Sequence, residues 1–361
     1  MTAPSATLPL RFDPSFEHAE PDEDKTTTEL NEALSRIART TFKHSGHAIR
    51  SVHAKNHGTL RGELQVLDGL PPTWAQGLFA KPASYPAILR FSTTPGDILD
   101  DKVSTPRGLG LKVLGVEGAR LPGSEADTTQ DFLFVDGPTF LVPNAKKFLG
   151  NLKLLAATTD RADGLKKVLS AVLRGTEKAV EAFGGKSGTL IALGGHARTH
   201  VLGASFFNQV PILYGDHMAK VSVAPVSPGL VALIDTPVDL DDKPDGLREA
   251  VVAHFAREGG EWEIRVQLCT DIEAMPIEDA SVEWSQETSP FVAVARIVVP
   301  PQPAAHADDS ELGDDRLAFS PWHGIAAHRP SGSIGRVRKA TYDVAKEFRA
   351  ASNGCPIHEP R

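Results

Sequence analysis

Cysteine is scarce in this chain, with Cys269 and Cys355 the only 2 among 361 residues. That count supports neither a disulfide framework nor a cysteine-built zinc site, and it suits a reducing compartment. Tyrosine is almost as rare, at Tyr85, Tyr214 and Tyr342. No apolar run reaches the roughly 18 residues a membrane span needs. The start, Met1-Thr-Ala-Pro-Ser-Ala-Thr, lacks the basic and apolar regions of a signal peptide. A cytoplasmic protein with no stable membrane anchor is expected. Positive charge is in deficit as well, with a formal net charge of -8 and a pI near 5.9. That balance argues against nonspecific binding to nucleic acid or anionic lipid.

What is present is enough chain to bury a large core. Residues 1–26 mix Pro, Asp and Glu and read as an arm. Residues 27–351 read as one domain and 352–361 as a tail. Within the domain, Leu30, Leu34, Ile37, Ala38 and Thr41 recur at helical spacing and predict a helix over Thr27 to Phe42, leading into a strand that carries His53.

Alternating apolar residues then predict short strands at Gly62 to Leu67, Ala87 to Thr93, Gly108 to Leu114, Asp131 to Val135 and Thr139 to Val142. The last two are joined by the turn Asp136-Gly-Pro138. Alternation returns over Ala204 to Pro225, and further strands are expected at Leu230 to Ile234, Trp262 to Cys269, Val282 to Trp284 and Phe291 to Val299. Between the two sets, about 143–200, lies an insertion. Phe148, Leu152 and Leu155 mark one helix in it, and Leu165, Val168, Leu169, Val172 and Leu173 another. The glycine-rich run that follows, with Gly184-Gly-Lys-Ser187, matches only the end of a phosphate-loop motif.

Pro300 to Asp315 reads as a linker, and Ser333 to Ala351 as a basic amphipathic helix packed on the domain. Strands and helices do not alternate regularly. The fold class expected is therefore α+β, a central closed antiparallel β-barrel with helical insertions and a C-terminal helix.

The stretch Arg50 to Lys112 gathers the candidate chemistry: one histidine, His53, a hydroxyl pair, Ser92 and Thr93, and three arginines, Arg50, Arg90 and Arg107. On residue type alone, His53 reads as a core histidine satisfied by a backbone partner, and Ser92 with Thr93 as a cross-strand pair. Arg107, in a tight Pro-Arg-Gly turn, suits pairing with Asp97 or Asp101.

Three blocks change that reading: Arg50-Ser-Val-His-Ala-Lys55, Leu78 to Gly96 with Arg90-Phe-Ser-Thr93, and Pro106-Arg-Gly-Leu-Gly-Leu-Lys112. In residues, order and spacing they resemble the distal-histidine and signature segments of haem catalases. The chain is similar to the short, catalase-related branch of that superfamily.

The resemblance implies haem as cofactor, a small hydroperoxide as substrate and a homo-oligomer. It implies His53 as the acid and base that moves a hydroperoxide proton, oriented by Ser92. Arg50, Arg90 and Arg329 would meet haem propionates, because the guanidinium fork pairs with carboxylates. Val52, Phe140 and Phe148 would pack on the macrocycle.

Two departures stand beside it. Val135 occupies the place of the family's distal asparagine. The iron-ligating tyrosine falls on Ser320 counting from Arg316, or on Trp322 counting back from His328-Arg329. His323 is the nearest residue able to ligate iron. Rapid peroxide dismutation is not expected without a tyrosinate. A slow peroxidase, an organic-hydroperoxide rearrangement, a haem- or apolar-ligand-binding protein and a haem-free enzyme reusing the cavity remain open.

Overall fold

A computed structural model of the chain describes residues 8–103, 105–159, 197–304 and 312–360. Its nine strands are β1 Asn56–Val66, β2 Ser84–Thr93, β3 Arg107–Val113, β4 Gln130–Val135, β5 Phe206–Phe207, β6 Ile212–Tyr214, β7 His217–Pro225, β8 Gly260–Leu268 and β9 Val292–Val299. Every pairing between them is antiparallel. In the order β5-β4-β3-β2-β1-β9-β8-β7, with β5 also pairing β7, eight strands close on themselves. Closure leaves no free edge in the ring, and β6 hangs on β7 as a hairpin.

Side-chain alternation decides which wall faces where. Leu89 and Phe91 of β2, Leu109 and Leu111 of β3 and Phe132 and Phe134 of β4 join the barrel core. There Phe91 meets Trp262 at 6.0 Å between ring centroids. The period of two then puts Ile88, Arg90 and Ser92, Gly108, Gly110 and Lys112, and Asp131, Leu133 and Val135 on the outer face of the same three strands. That face is covered, not solvated, and the candidate residues gather on it.

The covering layer is helical. Among the described residues the α-helices are α1 Glu23–Ser45, α2 Ala145–Thr159, α3 Pro228–Val231, α4 Gly246–Phe255 and α5 Gly332–Asn353. Leu30 and Ala33 of α1, Leu149 and Leu152 of α2, and Ile334 and Val337 of α5 form one apolar cluster. α1 ends where Gly46 takes the left-handed conformation, φ 71°, and caps Phe42 O at 2.8 Å. The arm wraps the domain, with Leu10 and Phe12 donating to Cys269 O and Asp216 O, each at 2.8 Å.

The structure corrects several sequence expectations. Residues 139–142 form bends, not a strand: Pro138 and Pro143 offer no amide donors, and Gln209 Nε2 takes the carbonyls of Gly137 and Thr139. Leu230 to Ile234 is helical turn, started by Ser227 with Pro228 at its first position. Val282 to Trp284 is loop. His53 lies on a bend before β1, not on a strand. The expected helix over Leu165 to Leu173, the glycine-rich run 184–195 and residues 305–311 of the linker lie outside the described residues.

Among the described residues no helix is long and apolar enough to cross a membrane.

Candidate functional site

The segment from Gly46 to Lys55 leaves α1 and crosses the outer face of β2 and β3. His53 sits in it with φ 55°, a left-handed backbone that few non-glycine residues adopt. The loop is held from several sides. His53 N–H donates to Thr94 O at 2.9 Å and Ala54 N–H to Pro95 O at 3.0 Å. Arg90 donates to the carbonyls of His53 and Ala54 at 3.0 and 3.2 Å.

The imidazole sits against Gly108, leaving no room there for a side chain. Its Nδ1 is 3.1 Å from Ser92 Oγ, and Ser92 Oγ donates to Gly108 O at 3.4 Å. A neutral ring that donates Nδ1–H to Ser92 Oγ would keep a lone pair on Nε2. Burial lowers the His53 pKa to about 3, and the guanidiniums of Arg90, Arg338 and Arg50 add to it. The ring is neutral throughout the physiological range.

Beside it, Arg50, Arg90 and Arg349 converge on Asp314. Arg50 Nη1 and Arg90 Nε both bond Asp314 Oδ1, the second at 2.7 Å, and Arg90 Nη2 reaches Oδ2 at 3.1 Å. Arg349 donates to Asp314 O at 2.5 Å, and Arg50 and Arg349 share Leu317 O at 2.7 and 3.2 Å. Burial alone would raise the Asp314 pKa, but Arg50 and Arg90 hold it down at about 2. Burial pulls Arg50 well below its usual value and Arg349 to about 10.

A second buried cluster lies farther along the same face. Lys112 Nζ meets Asp131 Oδ1 at 2.8 Å and pairs with Glu359 from the C-terminal tail. His323 Nδ1 stands 3.0 Å from Glu359 Oε1 and 3.3 Å from Asp131 Oδ2. Thr129 donates to Glu359 at 2.9 Å. Burial disfavours the His323 cation, yet the two carboxylates prevail and push its pKa up to about 9. Asp131, His323 and Glu359 have the spacing of a metal site. Lys112 already pairs with both of these carboxylates.

Between α5 and these segments runs a cleft lined by Arg50, Val52, Phe319, His323, Tyr342 and Arg349, among others. Its volume is about 70 Å³. Its inner wall is Phe319, whose ring packs on Gly110 so closely that a Cβ there would stand 3.1 Å away.

No family model and no curated protein matches the sequence. Solved structures do. A bacterial catalase aligns with a TM-score of 0.60 at 17% identity, covering 99% of this chain and 67% of its own. Catalase A from Saccharomyces cerevisiae gives 0.59 at 16% identity, with 97% and 68% covered. A fungal catalase gives 0.59 at 16%, with 88% and 61% covered. The chain has a catalase-like fold. It spans between about three fifths and two thirds of the length of these catalases.

The catalase-like fold, with the sequence resemblance, raises haem as the group to test against the residues present. They do not fit a tyrosinate-held haem. Ser320, buried, stands in one counted tyrosine position and receives Trp322 N–H on its Oγ, while its own N–H goes to Asp131. Trp322, in the other, donates Nε1–H to Gly335 O at 2.9 Å. His323 faces the carboxylates of Asp131 and Glu359, which favour its protonated form over iron ligation. Arg50 and Arg90 are taken by Asp314. The cleft's volume is also small against the roughly 300–1,000 Å³ of small-molecule and cofactor sites.

The remaining expected residues disperse. Arg329 pairs with Glu17 of the arm at 2.7 Å. Phe140 and Phe148 meet edge to face at 5.4 Å in the α1–α2–α5 cluster. Val52 is half exposed at the cleft, and Val135 faces Gly108 across β3 and β4. Arg107 pairs with neither Asp97 nor Asp101. Its guanidinium bonds Thr199 Oγ1 and Ala197 O, and Lys55 takes Asp101 at 2.7 Å. Sequence reasoning missed Asp314, Asp131 and Glu359. Only Lys112, a charged residue between Leu111 and Val113, signalled a buried partner.

Proposed function

We propose that this protein is a haem-independent enzyme of acid–base type that converts a small organic hydroperoxide without net oxidation, His53 taking and returning the proton. The observation that carries the reading is the imidazole held 3.1 Å from Ser92 Oγ, on a left-handed backbone where the chain spends conformational energy to place it.

A hydroperoxide bearing a hydrogen on the adjacent carbon contains its own oxidant. Nε2 takes that C–H proton, the C–H electrons become the second bond of a carbonyl, and the O–O bond breaks. The departing hydroxide recovers the proton from the imidazolium and leaves as water. A histidine with a pKa of about 3 is a weak base and a strong acid. It therefore assists the O–O step more than the C–H step, which suits slow turnover. Two free cysteines are consistent with a reducing, cytoplasmic setting.

Haem-dependent peroxide turnover, the activity implied by the sequence resemblance, is the competing reading. The guanidiniums of Arg50 and Arg90 beside His53 favour it, and it requires Asp314 to release them.

The test uses 1-phenylethyl hydroperoxide, which has the adjacent hydrogen, and cumyl hydroperoxide, which lacks it. Haem-free protein is expected to form acetophenone from the first and leave the second intact, and His53→Ala to slow the first by about 100-fold. Equal rates for wild type and His53→Ala would overturn the proposal.

A further inference from the structure

Among the described residues three lysines are buried, Lys55, Lys112 and Lys220. Lys55 pairs with Asp101 and Asp245, and Lys112 with Asp131 and Glu359. Lys220, only 4% exposed, pairs with no described carboxylate. Its Nζ donates to Val282 O at 2.9 Å and stands 5.2 Å from the centroid of the Trp284 ring. Burying an ammonium without a counter-charge favours the neutral amine. Burial accordingly lowers the Lys220 pKa to about 8, against the weaker pull of Glu283 and Asp279. At pH 7 roughly a tenth of such an amine is unprotonated, on the order of a hundredfold more than in an ordinary lysine.

Strand alternation explains the placement. Val221 and Val223 of β7 belong to the barrel core, so Lys220 points outward, beside Gln267 of β8. An outward lysine ordinarily reaches solvent, but here the segment that follows Val282 covers it. Gln267 Nε2 ties that segment down, donating to Trp284 O at 2.9 Å and Ser289 O at 2.8 Å. Lys220, Phe207, Gln267, Glu283, Trp284 and Phe291 line a cavity of about 10 Å³. That is room for about one water. An amine without an ion pair, set in a small cavity with aromatic walls, suits a nucleophile better than a structural charge.

We propose that Lys220 is a modification site whose amine condenses with a one- or two-carbon aldehyde entering the cavity beside Trp284. The nitrogen lone pair attacks the carbonyl carbon, a carbon–nitrogen double bond replaces the carbon–oxygen bond, and the oxygen leaves as water with the two amine hydrogens. Glu283, exposed and part of the lining, is the carboxylate at hand to relay those protons. The cavity sets the size of the aldehyde, because a branched or aromatic one has no room beside Nζ. The protonated imine keeps over the Trp284 ring the positive charge that the ammonium held there. No step involves His53, and hydroperoxide turnover has no part in the test.

The full-length protein is treated at pH 7 with acetaldehyde and cyanoborohydride, which reduces an imine to a stable N-ethyl amine, and the modified lysines are mapped by mass spectrometry of peptides. Lys220 is expected to be ethylated at least tenfold faster than the exposed Lys81. That lead should vanish in denaturing urea, where both lysines meet the same solvent. Pivaldehyde, too bulky for the cavity, should modify Lys81 and spare Lys220. Ethylation of Lys220 no faster than of Lys81, a lead that persists in urea, or modification of Lys220 by pivaldehyde as readily as by acetaldehyde would each overturn the proposal.

Discussion

Gly108 and His53 are shaped to one another: a Cβ on Gly108 would stand 2.3 Å from Nδ1 and 2.4 Å from Cε1 of the imidazole. Ser92 Oγ, 3.0 Å from the same point, closes the remaining side. The ring position is therefore set by an absent side chain as much as by the hydrogen bond that orients it.

Gly108→Ala should accordingly push the ring from Ser92. Turnover is expected to fall to the level of His53→Ala, with a stability loss of about 1–3 kcal/mol from the overpacking. Rates and thermal melts of the two variants check this. Wild-type turnover in Gly108→Ala would show that the ring does not need its seat.

Ser92→Ala removes the acceptor for Nδ1–H and frees the imidazole to adopt the other tautomer. About a tenfold to hundredfold loss of turnover is expected, with partial recovery in Ser92→Thr, which keeps the hydroxyl. The nitrogen-15 shifts of His53 provide the direct check: Nε2 should resonate as the bare nitrogen in wild type and not in Ser92→Ala. Identical shifts in both proteins would remove Ser92 from its orienting role.

Stability should peak near neutral pH and decline on both sides. His53, His200 and His328 have folded pKa values of about 3, 4 and 4, below the ordinary 6.5, chiefly through burial. The unfolded chain takes up their protons first, so stability falls as pH drops from 6.5 toward 4. His323 is the opposite case, with its pKa raised to about 9. Its contribution is complete below 6.5 and is lost as pH rises from 6.5 through 9. Melting temperatures at pH 4.5, 7 and 9.5 should show both limbs. A melting temperature still climbing between pH 7 and 9.5 would contradict the ion pairs assigned to His323.

Much of the barrel was legible because its strands carry their own period. Arg107–Val113 and Gln130–Val135 alternate between core and outer face, and each falls within one residue of the strand read from the sequence. Runs such as Leu230 to Ile234 misled because a short apolar stretch fits a helix equally well, and Ser227-Pro228 decides the matter. α4, Gly246–Phe255, was missed: it is only 10 residues long, and its buried face includes Gly246 and His254 beside Leu247, Val251 and Phe255.

The site was half legible. His53, Ser92, Arg50 and Arg90 come together as the sequence blocks suggested. What fills the opposite side depends on Asp314 and on Glu359, which reach it from loop and tail across more than two hundred residues. No local pattern announces such partners.

The tail's role can be tested alone. Glu359→Ala leaves Lys112 and His323 sharing only Asp131 in a buried site, which should cost about 3–5 kcal/mol. The His323 pKa should fall from its raised value, as a proton titration by NMR would report. An unchanged melting temperature and an unchanged titration would show that the tail contributes nothing there.

The most direct test of the whole account is the visible spectrum of the full-length protein mixed with equimolar haemin and then desalted. With Ser320 and Trp322 in the counted tyrosine positions and Arg50 and Arg90 on Asp314, no protein-bound Soret band should survive. A stoichiometric band that persists, and that moves in His53→Ala or His323→Ala, would contradict the account and restore haem to the site.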